Sequence, residues 1–207
     1  MLGIGIASRS YAVAARCAFV RAQLGAVATQ ATTDPRFGKF GLDLLESGHS
    51  AQEVLESIRS ADRHREYHQI GIVDRRGACA ADTGSLNLPW AGHRAARDAV
   101  ALGNHLTSER TISAMLDSFA ETGHLELDER LLRAIEGGRD AGGQVGGQRA
   151  AGLIVYEKEV FPLVDLRVDA HEEPIAELRR LFGLFAPLKR HFTDRAEDPT
   201  LPAPADA

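Results

Sequence analysis

The sequence has 207 residues, 44% of them apolar and 26% charged, with a formal net charge of -5. That describes one soluble globular domain, with or without a tail, and leaves no basic surface of the kind nucleic acid demands. Arg9, Arg16 and Arg21 interrupt the apolar first thirty residues. This excludes a signal peptide or membrane span there, and a cytoplasmic protein is expected.

The first thirty residues read as two buried strands, Gly3 to Ala7 and Phe19 to Gln30, joined by an irregular connection. The second ends in the small-residue run Gly25-Ala26-Val27-Ala28-Thr29, which lets a backbone or a ligand come close. Asp34 and Pro35 then open a helix over 35–47 with Phe37, Phe40, Leu44 and Leu45 on one face. Ser50 and Glu53 form a capping box for a second helix over 50–62, striped by Val54, Leu55 and Ile58. Residues 68–74 predict a strand, 75–77 a turn and 78–83 its antiparallel return. A loop over 84–96 holds Pro89-Trp90-Ala91-Gly92-His93, and a short strand follows over 98–102.

Thr107 or Ser108 caps a helix with Ile112, Met115, Leu116 and Phe119 inward, stopped by Gly123. A fourth helix over 128–136 buries Leu131, Leu132 and Ile135. Residues 137–147 hold six glycines and no phosphate-loop Lys-Ser or Lys-Thr; they read as a loop, or as a backbone-rich cradle over a ligand. Residues 150–156 and 164–169 are strands, and Pro174 opens a last helix with Ile175, Leu178, Phe182 and Phe185 inward. The domain is expected to span 1–185, followed by a tail over 186–207 that is disordered from about 194.

Paired helices thus alternate with runs of antiparallel strands, without the strand–helix–strand repeats of a doubly wound sheet. The economical packing is α+β: two antiparallel sheets face to face with helices outside, a four-layer α-β-β-α sandwich. Cys17 and Cys79 have no metal-site spacing around them and read as free thiols rather than a disulfide. The eight histidines show no paired-ligand spacing, so neither a metal nor a cofactor is expected.

The stretches LGIGIASRS at 2–10, GAVATQATTDPRFGKFGLDLLESGHSAQEVL at 25–55, PWAGH at 89–93, GN at 103–104 and DLRVDAHEEPIAELRRL at 165–181 stand out in that order. Together, over about residues 2–185, they resemble a bacterial family known as domain of unknown function 1028. That family looks like a member of the N-terminal-nucleophile hydrolases, which share the α-β-β-α sandwich. The resemblance implies hydrolysis of a small amide or peptide-like substrate by a terminal Thr, Ser or Cys. The α-amine of such a residue, with a reference pKa of about 7.7–8.0, serves as its own base.

This sequence departs from the family pattern. Relatives open with a short strand before the equivalent of Leu2, and here Met1 stands there. Gln144, Gly146 and Ala150 occupy positions where Asp, Arg and Ser are expected, and Asn87 and Leu102 stand for Cys and Gln. The expectation is therefore an N-terminal-nucleophile-type amidohydrolase that is truncated as given and inactive in this form. A non-catalytic binding or assembly module on the same fold is the alternative.

The candidate catalytic residues are Arg21, Thr29, Gln30 and Asn104. Thr29 and Gln30 would offer backbone N–H groups to an oxyanion, Arg21 would tune a terminal amine, and Asn104 would donate to the oxyanion or hold that amine. Ser8, Arg9 and His93 are the candidate substrate-binding residues, with Arg9 suited to a carboxylate. An incomplete sheet edge also predicts self-association as a homodimer or higher homo-oligomer, with neither nucleic acid nor membrane as partner.

Overall fold

The computed structural model describes residues 1–204. It is a mixed α+β fold with antiparallel sheets. Sheet A has the order β1 (Leu2–Ser8), β8 (Ala150–Tyr156), β9 (Val164–Val168). Sheet B has the order β2 (Ala18–Arg21), β3 (Gly25–Ala31), β4 (His68–Asp74), β5 (Cys79–Thr83). A hairpin of β6 (Gly92–Ala96) and β7 (Ala99–Gly103) pairs with neither sheet but packs on sheet B, where Leu102 and Val100 lie against Gly71. The helices are α1 (Val13–Cys17), α2 (Arg36–Glu46), α3 (Ala51–Ala61), α4 (Arg110–Glu121), α5 (Leu127–Asp140), α6 (Pro174–Phe185) and α7 (Lys189–Glu197). Among the described residues, no helix is long and apolar enough to cross a membrane.

Period-two alternation gives each sheet two distinct faces. On sheet B, Val27, Ile70 and Ile72 face α2 and α3 and pack with Leu42, Leu45, Val54, Leu55 and Ile58. Each of these side chains contributes about 1.5–3 kcal/mol by leaving water. The capping box at α3 forms in full, with Glu53 N–H donating to Ser50 Oγ and Ser50 N–H to Glu53 Oε2. At the other end of α3, Asp62 Oδ2 meets His68 Nδ1 at 2.5 Å, tying the helix to the start of β4.

On sheet A, Leu153, Val155 and Val164 pack under α5 and α6 with Leu132, Ile135, Ile175, Leu178 and Phe182. Helix α5 lies directly on the backbone of β1. A Cβ at Gly3 would sit 2.8 Å from Leu131 Cδ1, and one at Gly5 would sit 2.9 Å from the Leu131 carbonyl oxygen. A smaller core of Ile6, Val13, Ala14, Cys17 and Ile154, with Val20 against it, joins sheet A to the edge of sheet B.

Several elements differ from the sequence expectations. The single strand over Phe19 to Gln30 is a hairpin, β2 and β3, turned at Gln23 with φ +55°. Phe40 of α2 is exposed, and Gly38 and Gly41 take the inward face instead; the Phe19 ring lies against Gly38. The loop expected over 84–96 holds β6, which exposed side chains leave without an apolar signal. Gly137 and Gly138 are helical rather than loop, because α4 crosses there: a Cβ at Gly138 would lie 2.7 Å from Met115 Cγ.

The expected tail also begins with a helix. In α7, Lys189 is buried and its ammonium contacts Asp128 and Glu126 at the start of α5. Phe192 stacks on Phe185 with ring centroids 5.9 Å apart. The part of the tail at 205–207 lies outside the described residues.

Two outcomes follow from these contacts. Lys189→Ala leaves the Asp128 carboxylate buried without its cation, so urea unfolding should show a loss of about 3–5 kcal/mol; an unchanged midpoint contradicts the burial. The second concerns Glu66, whose carboxylate accepts the N–H and hydroxyl of Ser85, with Arg65 alongside. These contacts hold its pKa at about 2, below the usual 4.5. A depressed carboxylate pKa stabilises the fold above 4.5, and that contribution is lost as pH falls from 4.5 toward 2. Amide exchange at Ser85 and Leu86 should accelerate through that window.

Candidate functional site

Strand β1 pairs with β8 on one side, and among the described residues no strand pairs with its other edge. That edge faces a cleft made of two cavities. The first, about 340 Å³, lies at the Ser8 end of β1, and the second, about 350 Å³, at the Met1 end. They share Ile4, Gly5, Ala28, Met115 and Ile135, so they run end to end along β1.

The polar chemistry gathers in the first cavity. On the cleft face of sheet B, register aligns Gln30 of β3, Gln69 of β4 and Thr83 of β5 in one row. Gln69 is fully buried. Its Oε1 accepts from Gln30 Nε2 at 2.8 Å and from Asn104 Nδ2 at 3.3 Å. Its Nε2 lies 2.9 Å from each of three acceptors, Thr83 Oγ1 and the carbonyls of Gly92 and Gly103, which share its two N–H groups. Those two carbonyls sit at the open ends of the β6–β7 hairpin, so one side chain ties the hairpin to the sheet. Asn104, directly after β7, is thereby held over the cleft.

The glycine-rich loop forms another wall. It has positive φ at Gly142, Gly143, Gly146 and Gly147, a path that favours glycine. Gln144 Oε1 accepts the N–H of Arg9 at 2.7 Å, and the missing side chain at Gly146 leaves room for the Arg9 guanidinium. Arg16 and Arg139 also line this cavity, and among the described residues no acidic side chain does. Arg139 is held by Asp140, which raises its pKa, whereas Arg16 makes no ion pair among the described residues.

Burial pushes the Cys17 thiol up, a shift that the Thr33 hydroxyl 3.4 Å away only offsets. The thiol therefore stays protonated and is a poor nucleophile at neutral pH. Thr111 is 3% exposed, lines the cavity, and has a buried hydroxyl oxygen without a hydrogen-bond partner among the described residues.

The structure thus brings Ser8, Gln30 and Asn104 together at the first cavity, with Arg9 beside them on the loop. Ser8 Oγ accepts the N–H of Ser10. The Thr29 side chain points to the other face of β3, where its hydroxyl donates to the Asp34 carbonyl. Arg21 stands opposite Gly25, at the far end of β3 from Gln30, and pairs with Asp43 and Glu46 of α2. His93 is exposed on β6 and reaches the polar row only through Thr83 Oγ1, 2.8 Å from its Nδ1.

Sequence reasoning missed Gln69 and Thr111, and marked Gln144 only as a departure from the family pattern. Gln69 sits inside an apolar strand pattern, and only the cross-strand register reveals that it faces Gln30. Among the departures from the family pattern, Leu102 lines the first cavity and packs on Gly71, and Ala150 is buried between the sheets.

The sequence profile of a family described as "Family of unknown function (DUF1028)" matches residues 1–178. Among solved structures, the chain is similar to the crystal structure of protein SPO2555 from Silicibacter pomeroyi, described with the same DUF1028 assignment. The two are 28% identical with a TM-score of 0.80, over 87% of this chain and 81% of that one. No curated protein matches the chain.

Replacing the buried carboxamide tests this geometry. Gln69→Leu leaves the Gly92 and Gly103 carbonyls without their donor. The expected cost is about 1–3 kcal/mol for each orphaned group, together with faster amide exchange across β6–β7. Unchanged stability and exchange would show that the hairpin does not depend on Gln69.

Proposed function

The chain belongs to the DUF1028 family, and from that membership we propose an N-terminal-nucleophile-hydrolase-like protein whose first cavity receives a small amide- or peptide-like ligand. We read helices α2 and α3, sheet B, sheet A, and helices α5 and α6 as the four layers of that fold. The observation that carries the ligand class is the pair of carboxamides on Gln30 and Asn104, both fixed by Gln69 at the cavity wall. A carboxamide both donates and accepts, so it is suited to an amide group, and a wall already ordered loses little freedom on binding. Arg16, without an acidic neighbour in the cavity, would favour a ligand that carries a carboxylate.

Hydrolysis by residues 1–207 is not part of this reading. Nucleophilic catalysis needs a hydroxyl or thiol within reach of a base. In the cavity, Ser8 Oγ meets a backbone N–H, and the Cys17 thiol faces a hydroxyl with its pKa raised. The second reading, a binding or assembly module without catalysis in any form, is favoured by one observation: Leu102 places an apolar side chain on the cavity wall where the family pattern expects glutamine.

Titration calorimetry of residues 1–207 with N-acetylglycine amide and with N-acetylglycine tests the proposal. Both compounds should bind, the acid more tightly, and neither should be hydrolysed. Asn104→Ala and Gln30→Leu should each weaken binding about tenfold, the loss of about 1.4 kcal/mol that one hydrogen bond represents. Binding that ignores both substitutions removes the assigned site, and turnover above background removes the claim of inactivity.

A further inference from the structure

We propose that Thr111 is a specificity residue of the first cavity: its buried hydroxyl receives the neutral polar tip of a ligand side chain, and the ligand is an N-acylated amino acid of the glutamine type. The inference rests on the amide reading and adds a further point of contact to it.

Buried side-chain atoms on Asn87, Thr111, His191 and Arg195 lack a hydrogen-bond partner among the described residues. Of these four residues, Thr111 is the one that lines the first cavity. It is 3% exposed, so bulk water does not serve its hydroxyl.

The reason for the unpaired hydroxyl is positional. A helical threonine can return its hydroxyl to the carbonyl four residues back. Thr122 does so to Ser118 at 2.6 Å, and Thr193 to Lys189 at 3.1 Å. Thr111 is the second residue of α4, and the carbonyl four residues back belongs to Thr107, ahead of the helix. The Thr111 methyl group packs toward α5, since a Cβ at Gly138 would lie 3.6 Å from Thr111 Cγ2. The hydroxyl is the branch left without a fixed partner.

The neighbouring wall states what reaches that hydroxyl. Leu106, Met115 and Ile135 line the cavity with Thr111, and all are apolar. Met115 stands one turn along α4 on the same face. A ligand side chain directed here therefore needs an apolar stem and one polar tip. The tip is neutral, because a single hydroxyl does not compensate the burial of a charge. A carboxamide fits, since it donates and accepts as a hydroxyl does. A volume of about 340 Å³ lies at the small end of ligand sites and suits one acylated amino acid rather than a longer peptide.

The ligand then meets the cavity at separate groups: its amide at Gln30 and Asn104, its carboxylate at Arg16 and its side-chain tip at Thr111. Such an arrangement distinguishes mirror images, whereas N-acetylglycine is achiral and never engages Thr111.

Titration calorimetry of residues 1–207 reads the added contact. The probes are both enantiomers of N-acetylglutamine, both enantiomers of N-acetylnorleucine, which shares the stem but has an apolar tip, and N-acetylglycine. One enantiomer of N-acetylglutamine should bind about tenfold more tightly than its mirror image and than the norleucine compound of the same hand, the worth of one hydrogen bond. Thr111→Val should erase both differences and leave N-acetylglycine binding unchanged. Thr111→Ser keeps the hydroxyl and should keep both differences. Thr111→Val should also hold or raise the melting temperature, because a methyl of the same shape replaces an unpaired hydroxyl.

Three results would overturn the assignment: equal affinity for the glutamine and norleucine compounds, a preference that survives Thr111→Val, or a Thr111→Val chain that melts lower or fails to fold, which would give the hydroxyl a structural partner. In the first two cases N-acetylglycine still binds and Asn104→Ala still weakens it, so the amide reading stands while this inference falls. Failure of N-acetylglycine to bind removes the amide reading and this inference with it.

Discussion

The carboxamide of Gln69 cannot be buried unless every one of its hydrogen-bonding positions is met, and the cleft is built by meeting them. A buried amide group left unpaired costs more than the paired one gains. Two carboxamides and one hydroxyl, from Gln30, Asn104 and Thr83, converge on this side chain together with two hairpin carbonyls. The consequence is geometric. Strands β3, β4 and β5 are locked to the β6–β7 hairpin at one point, and the residue that follows the hairpin is delivered to the cavity. The polar wall is rigid because it is shared, since no member of the network can turn without orphaning another.

The second constraint is the close approach of α5 to β1. Glycines at positions 3 and 5 remove the side chains that would hold the helix away. The helix covers one face of sheet A but leaves the β1 edge open, and the cleft lies there. Around it the fold is stabilised conventionally. Two aliphatic cores bury the outer faces of the sheets, and charged clamps fix the periphery, such as Lys189 with Asp128 and Glu126 across α7 and α5. Stability and the candidate site thus occupy different faces of the same strands, as β3 shows with Val27 and Thr29 outward and Ala28 and Gln30 toward the cleft.

How much of this was legible in the sequence depends on the range of the interaction. The capping box at Ser50 and Glu53, strands β4 and β8, and the apolar stripes of α3 and α6 are local patterns, and they predict their elements closely. Strand β6 was not legible, because its exposed side chains carry no alternation. Helix α7 was hidden by its polar composition; it is held by salt bridges from Lys189 to residues 61 and 63 positions away, which no local window contains. The same holds at the site. Gln30 and Asn104 could be named from motif and strand-end reasoning, but their common partner Gln69 depends on the register of β3 against β4. Thr29 and Gln30 are adjacent in sequence, and the strand sends their side chains to opposite faces.

The most direct test of this account is the exchange rate of side-chain amide protons in nitrogen-15-labelled protein, followed with and without N-acetylglycine amide. The Gln69 amide should exchange only when the hairpin opens, far more slowly than those of Gln30 and Asn104. The latter two should shift when the ligand is added. Solvent-like exchange at Gln69, or ligand-induced shifts that bypass both Gln30 and Asn104, would contradict the claim that one buried carboxamide organises the cleft.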